Sequence, residues 1–262
     1  MLKLYHADMS TCAQKVRIAL DEKGLKWDSH LFNLRKSDQH KPEYLILNPK
    51  GVVPTLVDNE RIVIESTIIC EYLEDAYPHP RLSPATSKDR AQMRIWTKLL
   101  DEVLHFYTGV LSGSIAFRHQ HLARSQQELD AYLEGIPDPQ RRERQRTQIK
   151  LGMEAPQFSK AILVFDQFLT DLETQLCKTE WMVENQYSLA EVNYTPYLIR
   201  LDELQLWEWM DQRPRIKKLY ERIKTRPSYK SAYLDWKNDS YCSLMATKGA
   251  EAWPRIKKII SN

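Results

Sequence analysis

The feature that most constrains the fold of this 262-residue chain is a change of pattern near residue 80. Before it, short strand-like and helix-like segments alternate. After about residue 87 every apolar stripe has helical spacing. Residues 2–5 read as a strand, and 12–23 as a helix with Cys12, Val16, Ala19 and Leu20 on one face, stopped by Gly24. Residues 27–34 alternate weakly as a second strand, and 38–47 read as a short helix with Pro42 in or near its first turn. Two strands, 55–57 and 61–64, flank Asp58-Asn59-Glu60 as a hairpin. Ser66 then caps a helix striped by Ile68, Ile69, Tyr72, Leu73 and Ala76. The order βαβαββα in about 80 residues predicts a small mixed-sheet α/β unit.

A proline-punctuated link at 77–84 marks the expected boundary, giving an α/β domain over 1–80 and an all-α domain over 88–262. In the second domain Trp96, Leu99, Leu100, Val103 and Leu104 form one stripe, and Ile162, Phe165, Phe168 and Leu169 another. Ser188-Leu189-Ala190-Glu191 reads as a capping box, with Tyr187 and Val192 placed for a hydrophobic staple.

Composition narrows the function classes. A net charge of +3 is small for this length, so nothing global points to nucleic acid or a membrane. No apolar run approaches the ~18–20 residues of a membrane span, and no charged leader precedes an apolar stretch, so a cytoplasmic protein is expected. Cys12, Cys70, Cys177 and Cys242 are scattered without metal or disulfide spacing; reduced thiols and no metal are expected. The basic run 141–146 lacks interleaved aromatics and reads as a solvated helix face or loop.

The chemistry concentrates in Ser10-Thr11-Cys12, a turn between the first strand and the first helix. A helix N-terminus has free N–H groups and partial positive charge, so it favours an anion or thiolate. Ser10 is an N-cap in the plain reading and a thiolate donor in the functional one; Cys12 is either inert packing or a reactive thiol. Pro54 simply starts a strand, or a cis Val53–Pro54 bond exposes Val53's backbone to an extended peptide. Glu65 and Ser66 end a strand and cap a helix, or receive the charged end of a ligand. Gln39, His40 and Lys41 are a solvated face, or meet a second carboxylate. The aromatics at 104–120 are core, or with Gly109 and Gly113 leave a cleft whose pocket residues would be Tyr107 and Phe117.

These pieces together resemble the glutathione transferases. The matching residues are Ser10-x-Cys12 followed by Lys15-Val16-Arg17-Ile18-Ala19-Leu20, then Asn48-Pro49-x-Gly51-x-Val53-Pro54, Glu65-Ser66, and the Ser188 capping box with Glu191 where the family usually has Asp. The resemblance implies a thioredoxin-like N-terminal domain and a helical domain holding an electrophile pocket. It also implies glutathione as co-substrate without a metal, a hydrophobic small-molecule electrophile, and a homodimer. Ser10 would stabilise the glutathione thiolate, with Thr11 and Cys12 beside it. Val53 would pair with the cysteinyl backbone, Pro54 would be cis, and Glu65 and Ser66 would hold the γ-glutamyl end. His40, with Gln39 or Lys41, would face the glycyl carboxylate. Over the full length the chain resembles bacterial glutathione-dependent β-aryl etherases, carried by 63–75, Arg94-Ile95-Trp96-Thr97-Lys98, Asp101-Glu102 and a long insert at about 120–158. The Ser10-Thr11-Cys12 turn itself resembles less specialised bacterial transferases. A thiol transferase using Cys12, or a non-enzymatic binding protein, are the alternatives.

Overall fold

The computed structural model describes residues 1–261. Its first part runs β1 (Leu2–His6), α1 (Thr11–Glu22), β2 (Trp27–Leu31), α2 (Pro42–Leu47), β3 (Thr55–Asp58), β4 (Arg61–Ile64) and α3 (Ser66–Ala76). The strands form one sheet in the order β2-β1-β3-β4, with β1 parallel to β2 and antiparallel to β3. Leu4 faces Leu56 across the β1–β3 register, and both are fully buried. Alternation puts one face of each strand toward the helices, where Val16 and Leu20 of α1 meet Ile69 and Leu73 of α3 in the same core.

Local chemistry moves three boundaries from the pattern reading. β2 stops at Leu31, because Asn33 accepts the N–H groups of Arg35 and Lys36 and draws 34–36 into a 3₁₀ turn. The segment 38–47 is broken: Lys41, before Pro42, is pushed into extended backbone, so α2 begins only at the proline. Ser66 is not the cap of α3. Glu65 occupies that position with φ of 69° and no side-chain capping bond, because the chain leaves β4 and enters the helix within one residue.

The remainder is helical. The segments α4 (Ser87–Leu99), α5 (His105–Ser112) and α6 (Arg118–Leu122) form one continuous rod interrupted by π-helical turns at Leu100–Leu104 and Gly113–Phe117. Then come α7 (Gln126–Glu134), α8 (Pro139–Leu151), α9 (Pro156–Gln175), α10 (Leu189–Glu203), α11 (Pro214–Lys224), α12 (Pro227–Ala232) and α13 (Asp239–Ile260). The insert α7–α8 has a small core of its own, Leu133, Ile136 and Ile149. No helix among the described residues is long and apolar enough to cross a membrane.

Buried polar bonds fix the link and the start of α10. Lys23 pairs with Glu74 at 2.6 Å and donates to the carbonyls of Tyr77 and Pro80, so the proline-rich link is held against α1 and α3. The Ser188 capping box forms, and both of its side chains are fully buried. Glu191 also accepts the Met182 N–H at 2.6 Å. Gly249 lets α13 cross the end of α10 at backbone contact: a Cβ there would lie 1.7 Å from the Leu204 carbonyl oxygen.

Candidate active site

The loop before α1 is held by two buried arginines. Arg17 donates to the carbonyls of Ala7 and Asp8 at 2.9 and 3.0 Å, and to that of Ala232 at 2.8 Å. Arg200 donates to the Met9 carbonyl at 2.7 Å and pairs with Glu203 at 2.9 Å. Three successive carbonyls are thus fixed in front of Ser10. Ser10 caps α1, its Oγ accepting the Ala13 N–H at 3.2 Å. That bond uses a lone pair and leaves the hydroxyl proton free to donate. Capping and thiolate donation are therefore compatible roles for one serine.

Cys12 is not the inert packing residue of the plain reading. It is half-buried, with Sγ 3.6 and 3.7 Å from Nδ1 and Nε2 of His105. Near-equal distances describe a charge contact with the imidazole rather than one linear hydrogen bond. Burial pushes the thiol up, but His105, Lys15 and the Ser66 hydroxyl outweigh it and bring it down to about 6. The Cys12 thiolate in turn raises His105, against its burial. His105 Nδ1 is 3.0 Å from the Tyr197 hydroxyl, and fully buried Lys15 donates to Thr67 at 3.1 Å and Asp101 at 3.3 Å. Lys15, Arg17, Arg200 and His105 were missed as site residues. The available signal was three charged side chains at positions that should pack, two of them within the Lys15-Val16-Arg17-Ile18 run.

A cavity of about 280 Å³ opens beside this turn, lined by Ser10, Thr11, His105, Gly109, Phe117 and residues of the insert. Phe117 is where a pocket residue was expected. Tyr107 is not; it packs edge-on against Phe106, because α5 turns Thr108, Gly109 and Ser112 toward the cavity instead. The basic run is not wholly solvated either, since α8 brings Arg141, with Gln145 and Ile149, to the cavity wall.

The remaining expected positions do not line this cavity. The Val53–Pro54 bond is cis, and Val53 is buried. Among the described residues its N–H and C=O have no backbone partner. Ser66 is buried at the start of α3, while exposed Glu65 is paired with Lys50 at 2.6 Å. Gln39 is buried, so it is not on a solvated face. His40 is half-buried, its ring lodged between Gly51 and Gly135 of the insert. Burial and nearby Arg141 lower its basicity. No three His, Cys, Asp or Glu side chains are grouped as metal ligands among the described residues.

Residues 4–81 match the family model described as glutathione S-transferase, N-terminal domain. The chain is 28% identical over 243 residues to Protein LigF of Sphingobium sp. strain SYK-6, covering 85% of this chain and 94% of that protein. The crystal structure of beta-etherase LigF superposes with a TM-score of 0.81 at 27% identity, covering 89% of this chain and 99% of that one. Residues 4–81 therefore carry a glutathione S-transferase N-terminal domain. Another relative is the tetrachloro-p-hydroquinone reductive dehalogenase of Sphingobium chlorophenolicum, 27% identical over 249 residues, which are 90% of this chain and 98% of that enzyme. A thioredoxin-like sheet followed by helices is the architecture found here.

Proposed function

We propose that this chain is a glutathione S-transferase that activates the glutathione thiolate at Ser10 for attack on an aromatic electrophile held in the cavity under the insert. The carrying observation is the capped Ser10, with a free hydroxyl proton, on the rim of a cavity whose other walls come from α5 and α8. Residues 1–80 would bind glutathione and 88–262 the electrophile. The unpaired Val53 backbone beside cis Pro54 would pair with the cysteinyl unit. Ser66 and Glu65 would take the γ-glutamyl end, and Gln39 and His40 the glycyl carboxylate, with Thr11 and Cys12 beside the sulfur.

Lowering a thiol pKa by two units takes about 2.7 kcal/mol. A hydroxyl bond to a charged acceptor contributes about 1.5–3 kcal/mol, and a helix N-terminus about 0.3–1 kcal/mol. The Ser10 hydroxyl and the first turn of α1 are therefore sufficient in magnitude. With a β-aryl ether ketone, the thiolate attacks the carbon next to the ketone, forming a C–S bond as the C–O bond breaks and phenolate leaves with the electron pair. The likeness to LigF supports this substrate class. Incubation with glutathione and such an ether should release phenol. Conjugation of a halonitroarene without phenol release would leave the transferase and remove the etherase, and neither reaction would remove both.

The Cys12–His105 contact favours a second reading, thiol transfer. The Cys12 thiolate would attack a mixed disulfide of glutathione, expelling the other thiolate, and a second glutathione thiolate would then release glutathione disulfide. Loss of turnover in Cys12→Ala with activity kept in Ser10→Ala would establish it over the first. Exposed Ile68 on α3 and Ile95 and Leu99 on α4, beside the Glu71–Arg94 ion pair, support a homodimer, which light scattering on the eluted peak tests.

A further inference from the structure

The cavity that the proposed function gives to the electrophile is more cationic than a purely apolar substrate needs. Four guanidinium groups line it, from Arg35, Arg118, Arg141 and Arg200, against one carboxylate, Asp8. Three are engaged elsewhere. Arg200 is taken by Glu203, Ser112 and the Met9 carbonyl. Arg118 donates to the carbonyls of Ile149 and Lys150. Arg35 bonds Gln120 at 3.2 Å, lies 3.7 Å from Asp8 and covers the Tyr241 ring at 3.3 Å. Arg141 is different. Its neighbours Arg142 and Arg146 are held by the Ile136 carbonyl and Glu143. Arg141 itself has no hydrogen bond or ion pair among the described residues, although it lines the cavity.

A second observation points the same way. His121, on the cavity wall against Tyr132, is buried, and its Nδ1 has no partner. Burial, with Arg124 and Arg35 nearby, lowers its pKa to about 4, so it is a neutral hydrogen-bonding group at physiological pH. A buried polar atom without a partner is costly unless a ligand supplies one. The cavity therefore offers a free guanidinium fork and an unfilled imidazole nitrogen on Tyr132's side, with Phe117 and Ile149 as apolar walls. A planar fork of N–H donors matches a carboxylate.

We propose that the electrophile is an aromatic carboxylate, its ring on the apolar walls and its carboxylate on Arg141. The inference rests on the transferase reading for what reacts, but it is tested by binding alone. The probes are a dinitrobenzoate and its neutral carboxamide, titrated calorimetrically into the glutathione-saturated full-length protein. The expected result is that the carboxylate binds about tenfold or more tightly than the amide. Arg141→Gln should bring that ratio close to one, and Arg141→Lys, which keeps the charge but not the fork, should leave it intermediate. Equal binding of the two probes by the wild type overturns the proposal. So does an unchanged ratio in Arg141→Gln. So does a variant whose loss falls on glutathione affinity instead, which would assign Arg141 to the glycyl carboxylate. Turnover of the corresponding chlorodinitrobenzoate with glutathione is a separate measurement. If the carboxylate binds through Arg141 but releases no chloride while a neutral halonitroarene is conjugated, the proposal that the electrophile carries the carboxylate is overturned; if neither reacts, the transferase reading fails while the anion site stands.

Discussion

Replacing Ser10 with alanine removes the cap that the structure shows and, on the function proposed above, a donor to the glutathione sulfur. The cap to the Ala13 N–H, at 3.2 Å, is lost from the first turn of α1, at about 0.5–2 kcal/mol of stability. The hydroxyl proton, free in this structure, is lost as a donor to the glutathione sulfur, at about 1.5–3 kcal/mol of thiolate stabilisation. At 1.36 kcal/mol per unit, bound glutathione should titrate about one to two pH units higher in the variant. The assay is the thiolate absorbance of bound glutathione across a pH series. Cys12 brings a low-lying thiol of its own, so Cys12→Ala is the background for both proteins. Ser10→Thr keeps a hydroxyl and should recover most of the shift. If bound glutathione titrates at the same pH with and without the Ser10 hydroxyl, Ser10 is only a cap and the thiolate is held by something else.

Three further outcomes are expected. His105→Asn should move the Cys12 titration up from about 6, read by thiolate absorbance without glutathione. Stability will report this poorly. A depressed Cys12 favours folding as pH rises through about 6 toward its ordinary value, while a raised His105 favours folding at low pH and loses that contribution as pH rises, so the two partly cancel. Glu191→Ala strands the buried N–H groups of Met182 and Ser188, each costing about 1–3 kcal/mol, and urea unfolding should show a lower midpoint at constant slope. Arg200→Met leaves buried Glu203 without its cation and should cost about 3–5 kcal/mol, with a loosened turn before Ser10 visible as faster amide exchange at Met9 and Ser10.

Much of the fold was legible where its signals are local. The strand–turn–helix at Ser10, the left-handed Gly24 after α1 and the Ser188 capping box each depend on a few neighbouring residues. Errors occurred where one local preference overrode another, as when Pro42 expelled Lys41 from the helix or Asn33 captured the backbone that would have lengthened β2. The site was legible only in part. Ser10 announces itself, but Cys12's environment is set by His105, 93 residues away, and no spacing rule encodes that pairing. Arg141 was hidden for a related reason. A basic run reads as solvated until the insert's own core, around Leu133 and Ile149, turns one of its members inward.

The two π-helical turns around α5 have a consequence for the frame in which the rod is read. Each accommodates about one extra residue per turn relative to an α-helix, and one residue corresponds to about 100° of rotation. The phase of the stripe through Trp96, Leu100 and Leu104 is therefore reset twice before Arg118. The first of these turns precedes α5, in which Tyr107 sits with Phe106 while Thr108, Gly109 and Ser112 face the cavity. The same offset makes α5 a rotatable segment in a genetic sense. Adding or removing a single residue at 100–104 would turn α5 by about 100° relative to α4. A change in chain length by one, unlike a point substitution, would displace all of α5's share of the cavity wall at once, His105, Thr108, Gly109 and Ser112.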